Sequence, residues 1–335
     1  MKRIKVAQIG TGEHTHSTQV FRSLINNPDV FDVVGFANVD HHDKPLQSVF
    51  AGHKEWTAEE ILNMKDLDAV VIECDEELQT HYALLAAERG LPMHLEKPCG
   101  PDDASFDQLI DLVKEKQLVF HTGYMYRYNP AVQEALEKVR GGALGDIYCV
   151  EAHMDCYHPT AVRKWLGNFK GGMMFYLGCH LIDLIVQFMG EPEKITALNA
   201  ATGTDDLASE DYGLALMHYK SGVSFAKSCA TEPGGFLRRQ LVICGSRGTI
   251  ELLPFERGEG GDCVSTDMRE CYLDENGKSP WSDDGARKHF STFNRYDDMM
   301  CSFAAMVRGE KKNPWDYEYE RRLHKMVLRA CGAIR

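Results

Sequence analysis

Residues 4–15, IKVAQIGTGEHT, constrain this chain more than any other stretch. Lys5 to Ile9 is a short apolar run and reads as a buried parallel strand. It runs into Gly10-Thr11-Gly12 and then into a helical segment, Ser17 to Ile25. Strand, glycine turn and helix together place free backbone N–H groups and the positive end of a helix dipole in front of a phosphate. A dinucleotide fingerprint wants a third glycine at position 15, which is Thr15 here. Gly10, Thr11, Gly12, Glu13 and His14 are the candidate pyrophosphate contacts.

Strands and helices then keep alternating along the chain. Asp32 to Val39, Leu67 to Cys74, Met93 to Leu95 and Leu118 to Tyr124 read as strands. Helical stretches lie between them, including a capping box at Thr57 and Glu60. The pattern predicts an α/β fold whose first domain, residues 1–123, is an open parallel sheet wrapped on both faces. Ligands of such sheets bind at the carboxyl ends of the strands. Asn38, Asp40, Cys74, Asp75, Glu96 and Lys97 fall there as candidate cofactor contacts. An acid after the second strand can hold a ribose hydroxyl, and Asp40 is either that acid or a plain turn residue. No arginine stands ready for a 2′-phosphate, so NAD and NADP both remain open.

Residues 124–335 read as an α+β domain with a large, mostly antiparallel sheet. Strands are expected at Ile147–Met154, Ile195–Asn199, Tyr212–Tyr219, Gly222–Ala230, Arg239–Cys244 and Thr249–Leu253. Helices are expected at Asn129–Arg140 and Leu177–Met189, and two more, Asn294–Val307 and Tyr317–Ile334, close the chain. The last of these can pack back on the first domain. Asp155–Asn168 and the glycine- and acid-rich Gly258–Gly285 read as loops.

The 335 residues carry a net charge of −13, which disfavours nucleic acid and anionic membrane as partners. No apolar stretch approaches the ~20 residues of a membrane helix, and the N-terminus has no signal-peptide pattern. Eleven cysteines without a CxxC fit reduced thiols in a cytoplasmic protein. His14, His16, His41, His42, His153 and His158 invite a metal reading, but no third ligand stands at recognisable spacing, and no protein-bound metal is expected.

Two groups suit proton chemistry. Lys97 follows a buried strand and precedes Pro98, which biases it to extended geometry and projects its amine at the ligand edge. It is either a proton-handling lysine or a surface lysine paired with Glu96. His180 is expected on one helix face with Tyr176 and Asp183, as a general base or as a core histidine satisfied by Asp183. Tyr124, Tyr126 and Tyr128 alternate along what reads as an extended segment, either packing inside the protein or lining a sugar site beside Arg127.

Ile9-Gly10-Thr11-Gly12, Glu96-Lys97-Pro98, Gly123 to Pro130, Gly145-Asp146-Ile147 and the Gly171–Asp183 block resemble, in order and spacing, the glucose–fructose oxidoreductase / inositol dehydrogenase / MocA (Gfo/Idh/MocA) family. The resemblance covers nearly the whole chain. It implies a Rossmann domain, a second α/β domain with an open sheet, NAD or NADP as cofactor, and a small sugar, polyol or cyclitol as substrate. It also implies a homodimer or homotetramer. Lys97 matches the lysine that contacts the reacting hydroxyl, His180 the acid/base, and Asp183 a position that binds polyol hydroxyls. Tyr176 stands where members commonly carry an Asp, and a neutral phenol supplies no fixed negative charge to an imidazolium. The expected activity is hydride transfer between a nicotinamide and a hydroxyl or carbonyl carbon. Its alternatives are glycoside cleavage through transient redox and a cofactor-binding sensor without turnover.

Overall fold

The apolar run before the glycine turn forms strand β1 (Ile4–Ile9), buried at every residue but Lys5. Helix α1 (Ser17–Asn26), β2 (Phe31–Ala37), α2 (Ala58–Leu62), β3 (Ala69–Ile72), α3 (Glu76–Glu88), β4 (Met93–Leu95), α4 (Asp103–Glu115) and β5 (Phe120–Thr122) come next in the chain. The structure, a computed structural model, describes residues 2–40 and 45–335. His41 and His42 of the metal reading therefore lie outside the described residues.

The five strands pair in parallel in the order β2-β1-β3-β4-β5, and Glu55 adds an isolated parallel bridge to Phe36 beyond β2. The order reverses between β1 and β3, the switch point at which open α/β sheets bind ligands. Ala69, Val70, Val71 and Ile72 of β3 are wholly buried, as a central strand covered on both faces requires. Local signals set the helix ends. Thr57 and Glu60 form the expected capping box on α2, and Asp102 accepts the Ser105 N–H at 2.8 Å to start α4.

The second sheet belongs to a different unit. Helix α5 (Pro130–Arg140) opens with Pro130 behind the cap Asn129, whose Oδ1 accepts the Ala131 N–H at 2.9 Å. Then come β6 (Ile147–His153), α6 (Thr160–Leu166), α7 (Cys179–Met189), β7 (Lys194–Ala197), β8 (Tyr212–Tyr219), β9 (Gly222–Cys229), β10 (Gln240–Gly245), β11 (Gly248–Leu252), β12 (Arg257–Gly260), β13 (Cys263–Tyr272) and β14 (Ala286–Asn294). The sheet runs β12-β13-β11-β10-β6-β9-β8-β7, with β14 also on β13, and is antiparallel except where β6 meets β9. Helix α7, apolar almost all round, packs on β6 and β9. The chain closes with α8 (Asp297–Val307) and α9 (Tyr317–Ala330).

Two compact units result: Met1–Met125 with Tyr296–His324, and Tyr126–Arg295 with Lys325–Arg335. Within the first, Ser23 Oγ donates to Asp297 Oδ1 at 2.7 Å, Tyr317 Oη to the Leu118 carbonyl at 2.7 Å and Thr122 Oγ1 to Glu320 Oε1 at 2.9 Å. The return of 296–324 to the first unit includes the start of α9, the helix expected to pack back there, together with α8.

Three sequence expectations are corrected. Gly258–Gly285 is not one loop: it contains part of β12 and all of β13, and only 273–285 connects β13 to β14. Strand β13 buries Val264, Thr266 and Met268 on one face, but flanking glycines and acids mask that alternation. Strand β14 is mostly exposed and charged, so no apolar periodicity marks it. Asp155–Asn168 holds helix α6, and Met125–Tyr128 is a 3₁₀ turn in place of an extended segment.

Candidate functional site

At Gly10 the backbone turns with φ +104°, and a Cβ there would run into the backbone of Cys74. Glycine is required by the close approach of β1's end to β3's end. The turn's amides are nevertheless engaged. Gly10 N–H donates to the Ala37 carbonyl at 2.8 Å, Thr11 N–H to Asp40 Oδ2 at 2.6 Å, and Gly12 N–H to the Glu73 carbonyl at 3.1 Å. The expectation that these three donors stand free is thus corrected. The start of α1 remains for an anion.

Thr15, in place of the third glycine, folds its hydroxyl inward. Its single hydroxyl proton lies between the carbonyls of Gly12 at 3.1 Å and Glu73 at 3.0 Å. Gln8 donates to the Gly10 carbonyl at 3.0 Å and Ser17 Oγ to that of Gly12 at 2.9 Å. The turn is braced from inside, and Thr15 does not fill the cradle. A pocket lies over it, lined among others by Thr11, Gly12, Glu13, Thr15, Asn38 and Leu46. Asn38 Oδ1 accepts the Thr11 hydroxyl at 2.9 Å, and Asp40 Oδ1 accepts the Asp75 N–H at 2.7 Å. Glu13 is exposed, His14 and Asp75 are half-buried, and Cys74 is buried with its thiol pushed up by burial and by Asp40 and Asp75. These residues fit a dinucleotide: a glycine cradle, a helix start, and polar side chains at the end of β2.

Behind the turn lies a charged cluster that sequence reasoning did not assemble. Lys97 is 1% exposed, and its Nζ is 3.5 Å from Glu96 Oε1. The same oxygen is 2.8 Å from Nδ1 of His16, the residue that precedes α1. Glu73 and Glu76 are buried as well. His94 Nε2 is 3.4 Å from Glu73 Oε1, and its Nδ1 is 2.7 Å from Nδ1 of His121. Burial, then the neighbouring Glu96, pushes the Glu73 carboxyl well above its ordinary range, so it is held neutral. Burial likewise lifts Glu76 to about 8, against the pull of Lys97. Burial alone would raise Glu96 too, but His16 and Lys97 outweigh it and hold the carboxyl low. Glu96 is therefore the ionised counter-charge of the buried lysine. The surface-lysine alternative fails on exposure. Glu73, His94 and Glu96 also place ligand atoms within 4.8 Å of one another, a grouping absent from the histidines considered above. A clue stood in the sequence: Glu73 and His94 interrupt apolar runs, where a polar residue must be either turned out or partnered.

In the second unit His180 is buried and Tyr126 meets its ring edge-on, centroids 4.9 Å apart. Tyr126 Oη donates to Glu256 Oε2 at 2.7 Å. Arg239 Nη1 reaches that oxygen at 2.9 Å and Arg295 Nε reaches Glu256 Oε1 at 2.6 Å. Burial and Glu256 push the Tyr126 phenol up, so it stays protonated as a donor. Tyr124, Tyr126 and Tyr128 are all buried, which favours their packing alternative over a sugar-stacking wall.

Asp183, expected to hold substrate hydroxyls or satisfy His180, takes a double contact from Arg127: Nε at 3.1 Å from Oδ2 and Nη2 at 2.9 Å from Oδ1. Gln187 adds a bond to Oδ2 at 3.0 Å. Met174–Gly178 forms a π turn before α7, a wider winding than the α-helix the sequence suggests. Tyr176 packs in an aromatic group, 5.3 Å from Trp165 and 5.9 Å from His158 between ring centroids.

Residues 4–124 match the family described as "Oxidoreductase family, NAD-binding Rossmann fold", and residues 132–251 the GFO/IDH/MocA C-terminal domain. The chain is 28% identical over 250 residues to the "Uncharacterized oxidoreductase YhhX" of Escherichia coli (strain K12), covering 67% of this chain and 71% of that one. It is 24% identical over 283 residues to "Inositol 2-dehydrogenase 4" of Saccharopolyspora erythraea, covering 80% of each. The crystal structure of oxidoreductase yhhX superposes with a TM-score of 0.77 at 20% identity, covering 98% of this chain and 96% of that one. Both halves of the chain therefore place it in the Gfo/Idh/MocA family, as an oxidoreductase that uses NAD or NADP.

Proposed function

We propose that this protein transfers hydride between its nicotinamide cofactor and a hydroxyl or carbonyl carbon of a small sugar, polyol or cyclitol. The observation that carries the reading is Lys97. A wholly buried ammonium is costly, and it is retained here beside one ionised carboxylate at the carboxyl end of β4, on the ligand edge of the parallel sheet. Likeness to an inositol dehydrogenase supports the substrate class.

The cofactor supplies the redox chemistry, accepting or releasing the hydride. The chain's residues position the substrate and handle its proton. Lys97 donates to the reacting oxygen and lowers the cost of its developing negative charge. His180 exchanges the hydroxyl proton. Tyr126 backs the imidazole edge and is locked by Glu256, Arg239 and Arg295. The start of α1 receives the pyrophosphate, and Asn38 with Asp40 faces the ribose. Asp183 holds Arg127 in place.

We place the protein in the cytoplasm as a homodimer or homotetramer. Free thiols support the compartment, and the half-exposed apolar side chains Tyr148 and Val223 on the large sheet support self-association. No described helix is long and apolar enough to cross a membrane.

The test is a panel of sugars, inositols and sugar acids, with NAD and NADP in parallel, followed at the reduced-nicotinamide absorbance band and by product analysis. Band growth with one substrate class supports the dehydrogenase. Product without band growth replaces it with transient redox, and cofactor binding with neither signal replaces it with a sensor.

A further inference from the structure

Glu73 follows β3, His94 lies in β4 and Glu96 follows β4, and all three are wholly buried in the first unit. The two strands pair in parallel, Val71 with His94 and Ile72 with Leu95. That register, carried one step further, sets Glu73 beside Glu96. Like charges placed side by side on neighbouring strands repel, and burial strengthens the repulsion. Three carboxylates, Glu73, Glu76 and Glu96, share this interior with one buried ammonium, Lys97. A divalent cation balances the two charges left over.

The polar atoms point the same way. Among the described residues neither oxygen of Glu73 accepts a hydrogen bond, and His94 Nε2 makes none. Both groups are 0% exposed, where a polar atom without a partner is costly. His94 Nε2 stands 3.4 Å from Glu73 Oε1, longer than an ordinary hydrogen bond. Bonds of about 2.0 Å to a tetrahedral metal put neighbouring ligand atoms about 3.3 Å apart. Glu96 completes a set whose ligand atoms lie within 4.8 Å of one another. Its Oε1 faces His16 and Lys97, and its Oε2 accepts no hydrogen bond among the described residues.

His121 supplies the orientation. Its Nδ1 is 2.7 Å from His94 Nδ1, close enough for the two nitrogens to share one proton. With that proton on His94, Nε2 turns a lone pair toward Glu73, the tautomer a metal requires.

We propose that Glu73, His94 and Glu96 hold one small divalent transition-metal cation, zinc above all, which clips the end of β3 to the end of β4. One imidazole and two carboxylates suit zinc, and three protein ligands leave a fourth position of the tetrahedron open. The role is structural and involves no redox step. Glu73 also accepts the Gly12 N–H through its carbonyl at 3.1 Å, so the clip steadies the glycine turn from behind. In the metal-free protein a proton on Glu73 takes the place of the cation. The proposal does not rest on the hydride-transfer reading or on any substrate.

The test uses the whole protein after dialysis against a chelator. Calorimetric titration with zinc chloride is expected to show one equivalent bound, and the melting midpoint to rise with free zinc. Glu73→Gln with His94→Gln, its fold checked by circular dichroism, should lose that equivalent. His121→Gln should weaken it by roughly 10–100-fold. Cobalt(II) needs no variant: the intense visible bands of four-coordinate cobalt, without near-ultraviolet thiolate bands, support the site. Thiolate bands would assign the metal to cysteine and overturn the proposal. So would the absence of a stoichiometric equivalent, or full zinc affinity in the folded double variant. If the double variant does not fold, the cobalt spectrum of the parent decides.

Discussion

Arg127 and Asp183 form a double ion pair inside the second unit, Nε and Nη2 of the guanidinium reaching both carboxylate oxygens, with each residue almost fully buried. The pair fixes Arg127 to α7 within that unit. Removing one partner strands the other charge in low dielectric. Asp183→Ala is expected to cost about 3–5 kcal/mol of stability, while Arg127→Met with Asp183→Leu recovers most of it. Urea unfolding of the three proteins checks this. A stable Asp183→Ala protein with a raised KM alone would return Asp183 to the substrate.

The buried carboxyls of the first unit set the alkaline side of its stability. Glu76 titrates near 8 when folded and near 4.5 when unfolded. Between those values the unfolded chain has released a proton that the native state retains, so stability falls as pH rises and levels off above about 8. Glu73 shifts in the same direction. One such group changes stability by about 1.4 kcal/mol per pH unit within its window. Glu76→Gln should flatten the decline between pH 6.5 and 8 and raise the melting midpoint at pH 8. An unchanged slope would show that Glu76 is not buried as a neutral acid.

His94 acts on the acid side with the opposite sign. Burial lowers it from 6.5 to about 4, so its neutral form is favoured in the fold. Its contribution is present above 6.5 and is lost as pH falls toward about 4. His94→Gln is expected to be less sensitive than the parent across that window, measured by melting midpoints. Between 4.5 and 6.5 this slope opposes that of the buried carboxyls, so the parent's decline with pH should be shallower there than between 6.5 and 8.

Lys97 is predicted to serve chemistry in preference to cofactor binding. Lys97→Ala should lower kcat by roughly 10²–10⁴-fold while changing the NADH dissociation constant only a few-fold. Steady-state kinetics with the substrate found in the panel, beside a binding titration, separate the two. Equal losses in both would make Lys97 a structural cation for Glu96.

Gly10 tests the cradle. Gly10→Ala forces a side chain against the Cys74 backbone at φ +104°, so both the melting midpoint and NADH binding should drop sharply. Thr15→Gly loses one hydroxyl donor shared between two carbonyls, at a cost of about 1 kcal/mol, and leaves NADH binding intact if the threonine is only a brace.

Much of this molecule was legible one residue at a time. The alternation of apolar strands and capped helices, the glycine turn, and the positions of Lys97 and His180 are local signals. They arise from backbone sterics and from side-chain burial along a single element. Strands β13 and β14 were not legible, because their pairing is what makes them strands: flanking glycines and acids mask β13, and β12 and β14 show no apolar face. Helix α6 was lost in a polar stretch of the same kind.

Charge partnership required the tertiary structure. Nothing in the string Met93-His94-Leu95-Glu96-Lys97 says that Glu96 takes His16 from the end of the glycine turn, or that Glu73 on the next strand is held neutral. The π turn at Met174–Gly178 is likewise a matter of how the chain winds once packed. From the sequence alone come the fold class, the cofactor cradle and the catalytic candidates, because local periodicity and turn chemistry act over a few residues. Which buried charges face each other, and so which state each holds, was decided only when distant strands met in a low-dielectric interior where an unpaired charge cannot remain.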